Sequence, residues 1–528
     1  MKFSHLSCLR YFWSFVVTFI LATIAATGFS AGVTIITHGH TGNVEGWVTG
    51  MADSVPYYPF FPGTNVICYE MRVTDNGAFV VTPTRLSGAP LAADPHAEIL
   101  IKLDWSAEAG LLSQYETEEI ATAVVPHLLR TNFIAELVGH ALAELPLHLI
   151  GHSRGGSLIC ALSRQLGTNG VWVDQMSTLD PHPVNNDGNI DLALPFVVDA
   201  PLRIYNTVLF ADNYYQEFDG YPHGQFVPSS YNREFLTLPN GYGSAHSDTH
   251  LWYHATIDLY DPAWDYEAYL YAADRDVWYT AYELSGVRAG YYYSRVAGGN
   301  RLSLDRPAGG TTDYIRFGYN QYWDLGAGLS VNRTPLPANN GNWPNLIKLN
   351  RAGTNEVAYG QVGAVNLFFQ WARPATSNAN ISIYLDNDLN PFNGNDRLVR
   401  QITATGTTSS SVSSGTVTFT VTSANSSPGV HSIYAKVTGG GRTRYLYAPE
   451  SLTVVSSFQP PRLGIARVSS NQVRVDVTGI VGQRVALQSS SNLQSWASIT
   501  TNWLTSSVWS YFDNSTGNPR KFYRAVLP

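Results

Sequence analysis

Between about residues 33 and 257, short apolar runs alternate with longer stretches whose apolar positions fall three and four apart. The runs at 33–37, 66–70, 99–103, 147–150, 171–179 and 204–211 are apolar on both faces, which predicts strands of a parallel sheet buried on both sides. From 117 to 144 the positions Ile120, Val124, Leu128, Ile134, Leu137, Val138 and Leu142 keep helical spacing, with a kink or break around Pro126. A second helix is expected over 155–166. Strand and helix in alternation predict an α/β arrangement for residues 32–342.

Beyond this region the pattern changes. Residues 261–299 are dense in aromatics (Trp264, Tyr266, Tyr269, Tyr271, Trp278, Tyr279, Tyr282, Tyr291, Tyr292, Tyr293), and this extension, to about 342, reads as a helical packing layer rather than a lid. From about 344 the helical signals vanish. Alternating segments at 365–371, 381–385, 416–422 and 430–437, separated by Ser/Gly/Asn turns, predict an immunoglobulin-like β-sandwich over 343–459. The polar stretch 409–414 is a turn within it, and Pro460-Pro461 marks a boundary. Strand patterns at 473–477, 485–489 and 522–526 then predict a C-terminal β module over 460–528.

Composition sharpens this outline. Of 528 residues only 14% are charged, well under the quarter common in soluble domains, and 45 glycines with many uncharged polar residues fill the gap. That balance is common in β-rich secreted proteins. The net charge is −8 and no run of Lys or Arg occurs, so a nucleic-acid partner is excluded. At the N-terminus, Lys2 and Arg10 precede an uncharged stretch from Tyr11 to Ala26, and small residues follow to Ala31. This reads as a cleaved signal peptide over 1–31, since the apolar run is shorter than the ~20 residues a membrane span needs. The chain is therefore expected to be secreted, extracellular or at the cell surface. Outside that segment, Cys68 and Cys160 lie in apolar surroundings and read as buried free thiols rather than a bridge.

One motif carries chemistry. Residues Leu147-His148-Leu149-Ile150 run as a strand into Gly151-His152-Ser153-Arg154-Gly155, and a helix follows. A strand–Gly-x-Ser-x-Gly–helix passage holds its serine in a strained turn at a helix N-terminus, where developing negative charge is favoured. Ser153 is the candidate nucleophile. Such a serine needs a general base and an orienting carboxylate. Asp180 and Asp212 each end a strand, and His182, His223, His246, His250 and His254 follow. His246, His250 and His254 are spaced for one helix face, but the elbow explains a base better than a zinc site. For the oxyanion, the backbone amide of Arg154 is one donor, and the His40 amide in Thr37-His38-Gly39-His40 is the other, Gly39 allowing close approach. The His38 and His40 side chains read as structural.

These pieces together resemble the lipase-type α/β-hydrolases, with the motif order of the pancreatic-type lipases. The matching segments are Ile35-Ile36-Thr37-His38-Gly39-His40, Leu103-Asp104-Trp105-Ser106, Leu149-Ile150-Gly151-His152-Ser153, Leu179-Asp180-Pro181, and His246 with Tyr253 seven positions on. The resemblance covers about 230 residues. It implies an α/β-hydrolase catalytic domain, its mostly parallel sheet flanked by helices; the strand patterns beyond it predict two all-β, sandwich-like domains. It also implies Asp180 as the triad acid and His246 as the base. Arg154 departs from the Leu usual at that position, and the cysteine-bounded lid is absent. The last ~70 residues resemble β modules at the C-termini of secreted bacterial proteins, through Leu487-Gln488-Ser489, Asn492-Leu493, Trp496 and Arg520-Lys521-Phe522-Tyr523-Arg524-Ala525.

The expectation is a secreted serine hydrolase acting on carboxylic esters or lipids without a cofactor. Cell-surface or matrix association would come through the C-terminal modules. Two alternatives stand beside it: an adhesin using this domain as a scaffold, and a peptidase or amidase on the same triad. Asp386-Asn387-Asp388-Leu389-Asn390 could place oxygens around a structural calcium, but reads as an Asn/Asp turn because Pro391 follows and no closing Glu is present.

Overall fold

Eight strands assemble into one sheet: β1 (Gly32–Thr37), β2 (Ile67–Asp75), β3 (Phe79–Ser87), β4 (Glu98–Asp104), β5 (Leu147–His152), β6 (Val173–Leu179), β7 (Val208–Gln216) and β8 (Tyr231–Phe235). Their order is β3-β2-β4-β1-β5-β6-β7-β8. Every neighbouring pair is parallel except β2 with β3, a hairpin turned at Gly77. The central strands β1, β4, β5, β6 and β7 are buried at every position. The computed structural model describes residues 31–58, 66–94, 98–110, 115–188, 190–191, 194–260, 262–279, 290–294, 333–407, 411–456, 460–480, 483–514 and 520–527. The signal peptide expected at 1–31 lies outside them save for its last residue. So do residues 280–289 and 295–332 of the aromatic-rich extension, Tyr282 included.

Successive strand residues face opposite ways, so the sheet feeds two cores. Val33, Ile35, Leu147 and Leu149 pack with Ile120, Val124, Leu158 and Leu162. Ile36, Leu100 and Ile150 pack with Val48, Met51, Leu251 and Trp252. The helices that supply these residues are α1 (Trp47–Ser54), α2 (Thr117–Leu129), α3 (Arg154–Thr168) and α4 (Ala245–His254); α5 (Ala272–Trp278) is the fifth. Cys68 and Cys160 are buried and unbridged, and burial pushes their thiols up to about 11 and about 12.

The expected helix-flanked α/β-hydrolase architecture is corrected by the secondary structure: among the described residues 42% are strand against 15% helix, so they are mostly β. Helical periodicity overstates the helix in two places. α2 stops at Leu129 although apolar spacing continues, because Arg130 turns to extended backbone and Asn132 takes a left-handed φ of 58°. Ile134 and Leu137 are buried from a loop instead. The described part of the aromatic stretch is not a continuous helical layer either: Ala263–Trp264 pairs with Tyr269–Leu270 as a hairpin, and its described helical pieces are the seven residues of α5 and a 3-10 turn at Gly290–Tyr293. Strands were correspondingly hidden. β3 buries one residue of nine, and Arg397–Thr405 none, so neither shows an apolar run.

Two sheets form the β-sandwich that follows. Asn345–Ala352, Val362–Gln370 and Ser413–Thr420 make one. Glu356–Ala358, Leu452–Val455, Gly429–Gly439, Asn378–Asp386 and Arg397–Thr405 make the other, with Arg442–Tyr447 also paired to Gly429–Gly439. Val365, Leu367 and Phe369 meet Ile381, Ile383, Ala435 and Val437 between them. The sandwich docks on the first sheet through buried polar groups: Arg444 Nη2 lies 3.2 Å from Asp174 Oδ2, and Asn345 Nδ2 donates to Gly170 O at 2.7 Å. Residues 462–526 form two three-stranded sheets closed on Val475, Val477, Val485 and Leu487. Within that module Arg524 lies over the Trp496 ring at 4.4 Å and donates to Gln488 Oε1.

Candidate active site

Ser153 stands between the end of β5 and the start of α3 with φ 56° and ψ −127°. A non-glycine residue held there stores on the order of 1–3 kcal/mol, which the surrounding packing must offset. Gly151 makes the turn feasible, since a Cβ on it would lie 2.2 Å from the Gly155 carbonyl oxygen. The first-turn amides of α3 have no intrahelical acceptor and give that end a partial positive charge.

The segment after β6 wraps the serine. Ser153 N donates to Leu179 O at 2.9 Å, and His182 N donates to Ser153 O at 3.1 Å. Asp180, between them, is fully buried with a φ of 42°. Its Oδ2 accepts the Nδ1 proton of His246 at 2.6 Å. Gln216 completes the carboxylate's shell, its backbone N donating to Oδ1 at 2.8 Å and its Nε2 to Oδ2 at 3.1 Å. Asp180 and His246 are thus bonded to each other, and the Ser153 backbone is tied to Leu179 and His182 on either side of Asp180.

Asp212 is not part of this group. Its oxygens accept from Ser177 Oγ at 2.5 Å, Gln175 Nε2 at 3.2 Å and Tyr214 Oη at 3.0 Å, inside the sheet. The remaining histidines also have other partners. His250 stacks on Trp47 at 4.4 Å, with its Nδ1 3.5 Å from Asp265 Oδ2. His254 Nε2 lies 2.7 Å from Ser54 Oγ, and burial depresses its pKa to about 4. His182 Nδ1 lies 3.1 Å from the His223 carbonyl oxygen. Among the described residues no three His, Cys, Asp or Glu side chains converge as a metal would require.

The loop after β1 presses on Ser153. A Cβ on Gly39 would lie 2.6 Å from Ser153 Cβ and 3.0 Å from its Oγ, so only glycine lets this backbone approach. His40 follows, and burial, then the Arg154 charge, lower its pKa. His38 is fully buried and stacks on Trp105. The Arg154 side chain has a defined place. Its Nε donates to Asp199 Oδ2 at 2.7 Å and its Nη2 to Asp199 Oδ1 at 2.9 Å, both residues buried. Asp199 also accepts the Thr117 and Val184 amides, so one carboxylate ties α2, α3 and the 184–199 loop together. Neither Asp199 nor Gln216 stands in a motif or at a periodic position, and nothing in the sequence marks them.

The Asp386-Asn387-Asp388-Leu389-Asn390 turn is held by side-chain amides. Asp388 Oδ2 accepts from Asn393 and Asn395, at 2.7 and 3.0 Å. Asn390 Nδ2 reaches across to the first sheet's domain and donates to Leu91 O and Asp94 O at 2.6 Å each.

No family model matches the chain, and no curated protein matches it. Among solved structures, a similar one is the CARDB domain of a Pyrococcus furiosus protein in complex with di-metal ions. It is 13% identical, covers 22% of this chain and 97% of its own, and has a TM-score of 0.15. A likeness that slight carries no argument about this chain.

Proposed function

We propose that the chain is a secreted serine hydrolase that cleaves carboxylic esters through an acyl-enzyme on Ser153. The observation that carries this reading is the buried Asp180–His246 bond beside a serine in the strained elbow conformation. With Nδ1–H committed to Asp180, the other imidazole nitrogen is the one free to act as base. Ser153 Oγ attacks the ester carbonyl carbon while His246 Nε2 takes its proton. The carbonyl oxygen becomes an oxyanion, which the His40 and Arg154 amides stabilise in this reading. Collapse expels the alcohol, protonated by His246, and leaves the acyl group on Ser153. Water then attacks the acyl carbon, giving its proton to His246, and the carboxylic acid departs as Ser153 Oγ recovers a proton. No step requires a metal or cofactor.

A secretory leader at 1–31, as the sequence reads, supports an extracellular place of work. Among the described residues no helix is long and apolar enough to cross a membrane. The lipase-like motif order supports esters over amides as the substrate class. The test is a fluorophosphonate probe, with hydrolysis of a short-chain nitrophenyl ester measured alongside. The wild-type protein should be labelled and active, and Ser153→Ala neither. Full turnover by Ser153→Ala would overturn the reading.

A further inference from the structure

His152 immediately precedes the nucleophile, at the end of β5, and only 7% of it is exposed. Its Nε2 lies 2.8 Å from the backbone carbonyl oxygen of His246. A carbonyl oxygen only accepts, so Nε2 carries the proton and the contact is a donation from the elbow to the base's own backbone. Burial, then the neighbouring His246 and His250, hold this imidazole's pKa well below its ordinary value, so it stays neutral with one ring proton. The ring cannot swing away. It packs 4.5 Å from the His246 ring, 4.8 Å from His250 at 83°, and 5.7 Å from Trp47 at 79°.

The Asp180 bond orients the His246 imidazole, and Asp219 holds the start of α4 by accepting the Ala245 amide at 3.0 Å, but neither ties that backbone to the nucleophile elbow. His246 is the second residue of α4, where a helix is least constrained by its own hydrogen bonds, and the segment leading to it holds Gly241 and Gly243 in left-handed conformations. Ser153 Oγ, by contrast, is fixed by the elbow. Something must hold these two independently built pieces in register.

We propose that His152 is a positioning residue, its Nε2–H pinning the first turn of α4 to the nucleophile elbow and so setting the reach of His246 toward Ser153. The inference rests on the serine-hydrolase reading above. A displacement of about 1 Å between reacting groups can cost on the order of 100-fold in rate, so a single bond that sets their separation should act on kcat and leave KM nearly alone.

The test compares two amides of different reach. In His152→Gln the side-chain nitrogen can occupy the place of Nε2 and donate to the same carbonyl; in His152→Asn it stops short. His152→Phe keeps a ring without a donor. With a nitrophenyl ester, His152→Gln should hold kcat within about threefold of wild type, whereas His152→Asn and His152→Phe should lose about 10–100-fold with KM little changed. If His152→Phe fails to fold, the Gln/Asn pair carries the comparison, with thermal unfolding of both as the control. Equal kcat for Gln and Asn, whether both high or both low, overturns the proposal. Ser153→Ala run in parallel separates the two claims. If it keeps turnover, the hydrolase reading fails; if it is inactive while every His152 variant works at the wild-type rate, only the positioning role fails.

Discussion

Asp180 Oδ2 accepts the Nδ1 proton of His246 at 2.6 Å, while Asp212, at the end of the same kind of apolar run one strand over, accepts from Ser177 and Tyr214 within the sheet. The two carboxylates therefore answer differently to the same substitution. Asp180→Asn should lower kcat by roughly 10⁴, as loss of the orienting carboxylate does in serine proteases. Asp212→Asn should leave kcat near wild type and lower the unfolding temperature instead, because Ser177 and Tyr214 would lose a charged acceptor. Ester hydrolysis and thermal unfolding on both variants check this pair; an inactive, well-folded Asp212→Asn would reverse the assignment.

Gly39 and Ser153 approach so closely that a single methyl group cannot fit. In Gly39→Ala the added carbon would have to move Ser153 or the loop that carries His40. A shift of a few tenths of an ångström at the nucleophile and its oxyanion donor is expected to reduce kcat by about 100-fold. Far-UV circular dichroism should be unchanged, since the loop is not part of the sheet ladder. Wild-type kcat in this variant would mean that the loop yields freely and does not serve the oxyanion.

Arg154 and Asp199 form a bidentate pair with both side chains at 0% exposure. Removing one partner from such a pair strands a charge and costs about 3–5 kcal/mol, whereas replacing both by apolar groups can be nearly neutral. Arg154→Met and Asp199→Leu should each lower stability by that amount in urea unfolding, and the double variant should recover much of it. Additive losses would show that the surrounding amides of Thr117 and Val184, not the ion pair, set the cost.

The strand and helix on either side of Ser153 are legible in the sequence, and Ser153, Asp180 and His246 stand out in it as candidates, because each sits at a run end or in a fixed-offset motif. Leu147–His152 and Arg154–Thr168 fall within two residues of the ranges that periodicity predicts. The β-rich balance of the whole chain is less legible. A strand such as Arg397–Thr405, with no buried position, carries no apolar run, and its place is set by pairing with Asn378–Asp386. Helical spacing past Leu129 likewise reflects burial of Ile134 and Leu137 from a loop. Gln216, Asp199 and the reach of His152 depend on contacts between segments far apart in the chain, which no local pattern encodes.

Acid sensitivity should trace in part to His254. Burial holds its pKa near 4 in the folded protein against about 6.5 unfolded. Below pH 6.5 the unfolded chain binds a proton that the folded one does not, so this group's contribution is complete above that pH and is lost as pH falls toward 4. The difference is on the order of 3 kcal/mol. His254→Gln, which can still meet Ser54, should be less stable than wild type at pH 7.5 by less than that and should close the gap, or pass wild type, by pH 4.5. A constant difference across the range, measured by urea unfolding, would exclude His254 as a source.

Asn390 is fully buried and its amide nitrogen serves two carbonyl oxygens of the first sheet's domain, those of Leu91 and Asp94. With the Arg444–Asp174 and Asn345–Gly170 contacts it ties the sandwich to the stability of the first sheet's domain. Asn390→Asp removes the donor and sets a carboxylate against both carbonyls at nearly the same shape. Leaving two buried acceptors unpaired costs about 1–3 kcal/mol each, and the charge adds to that. Asn390→Ala removes the donor without the charge and should be the milder of the two. Both should lower the unfolding temperature while kcat below the transition stays at the wild-type value, because Leu91 and Asp94 stand away from Ser153. If Asn390→Asp instead unfolds the sandwich alone, read as a second calorimetric transition, the two halves are independent and these contacts do not couple them.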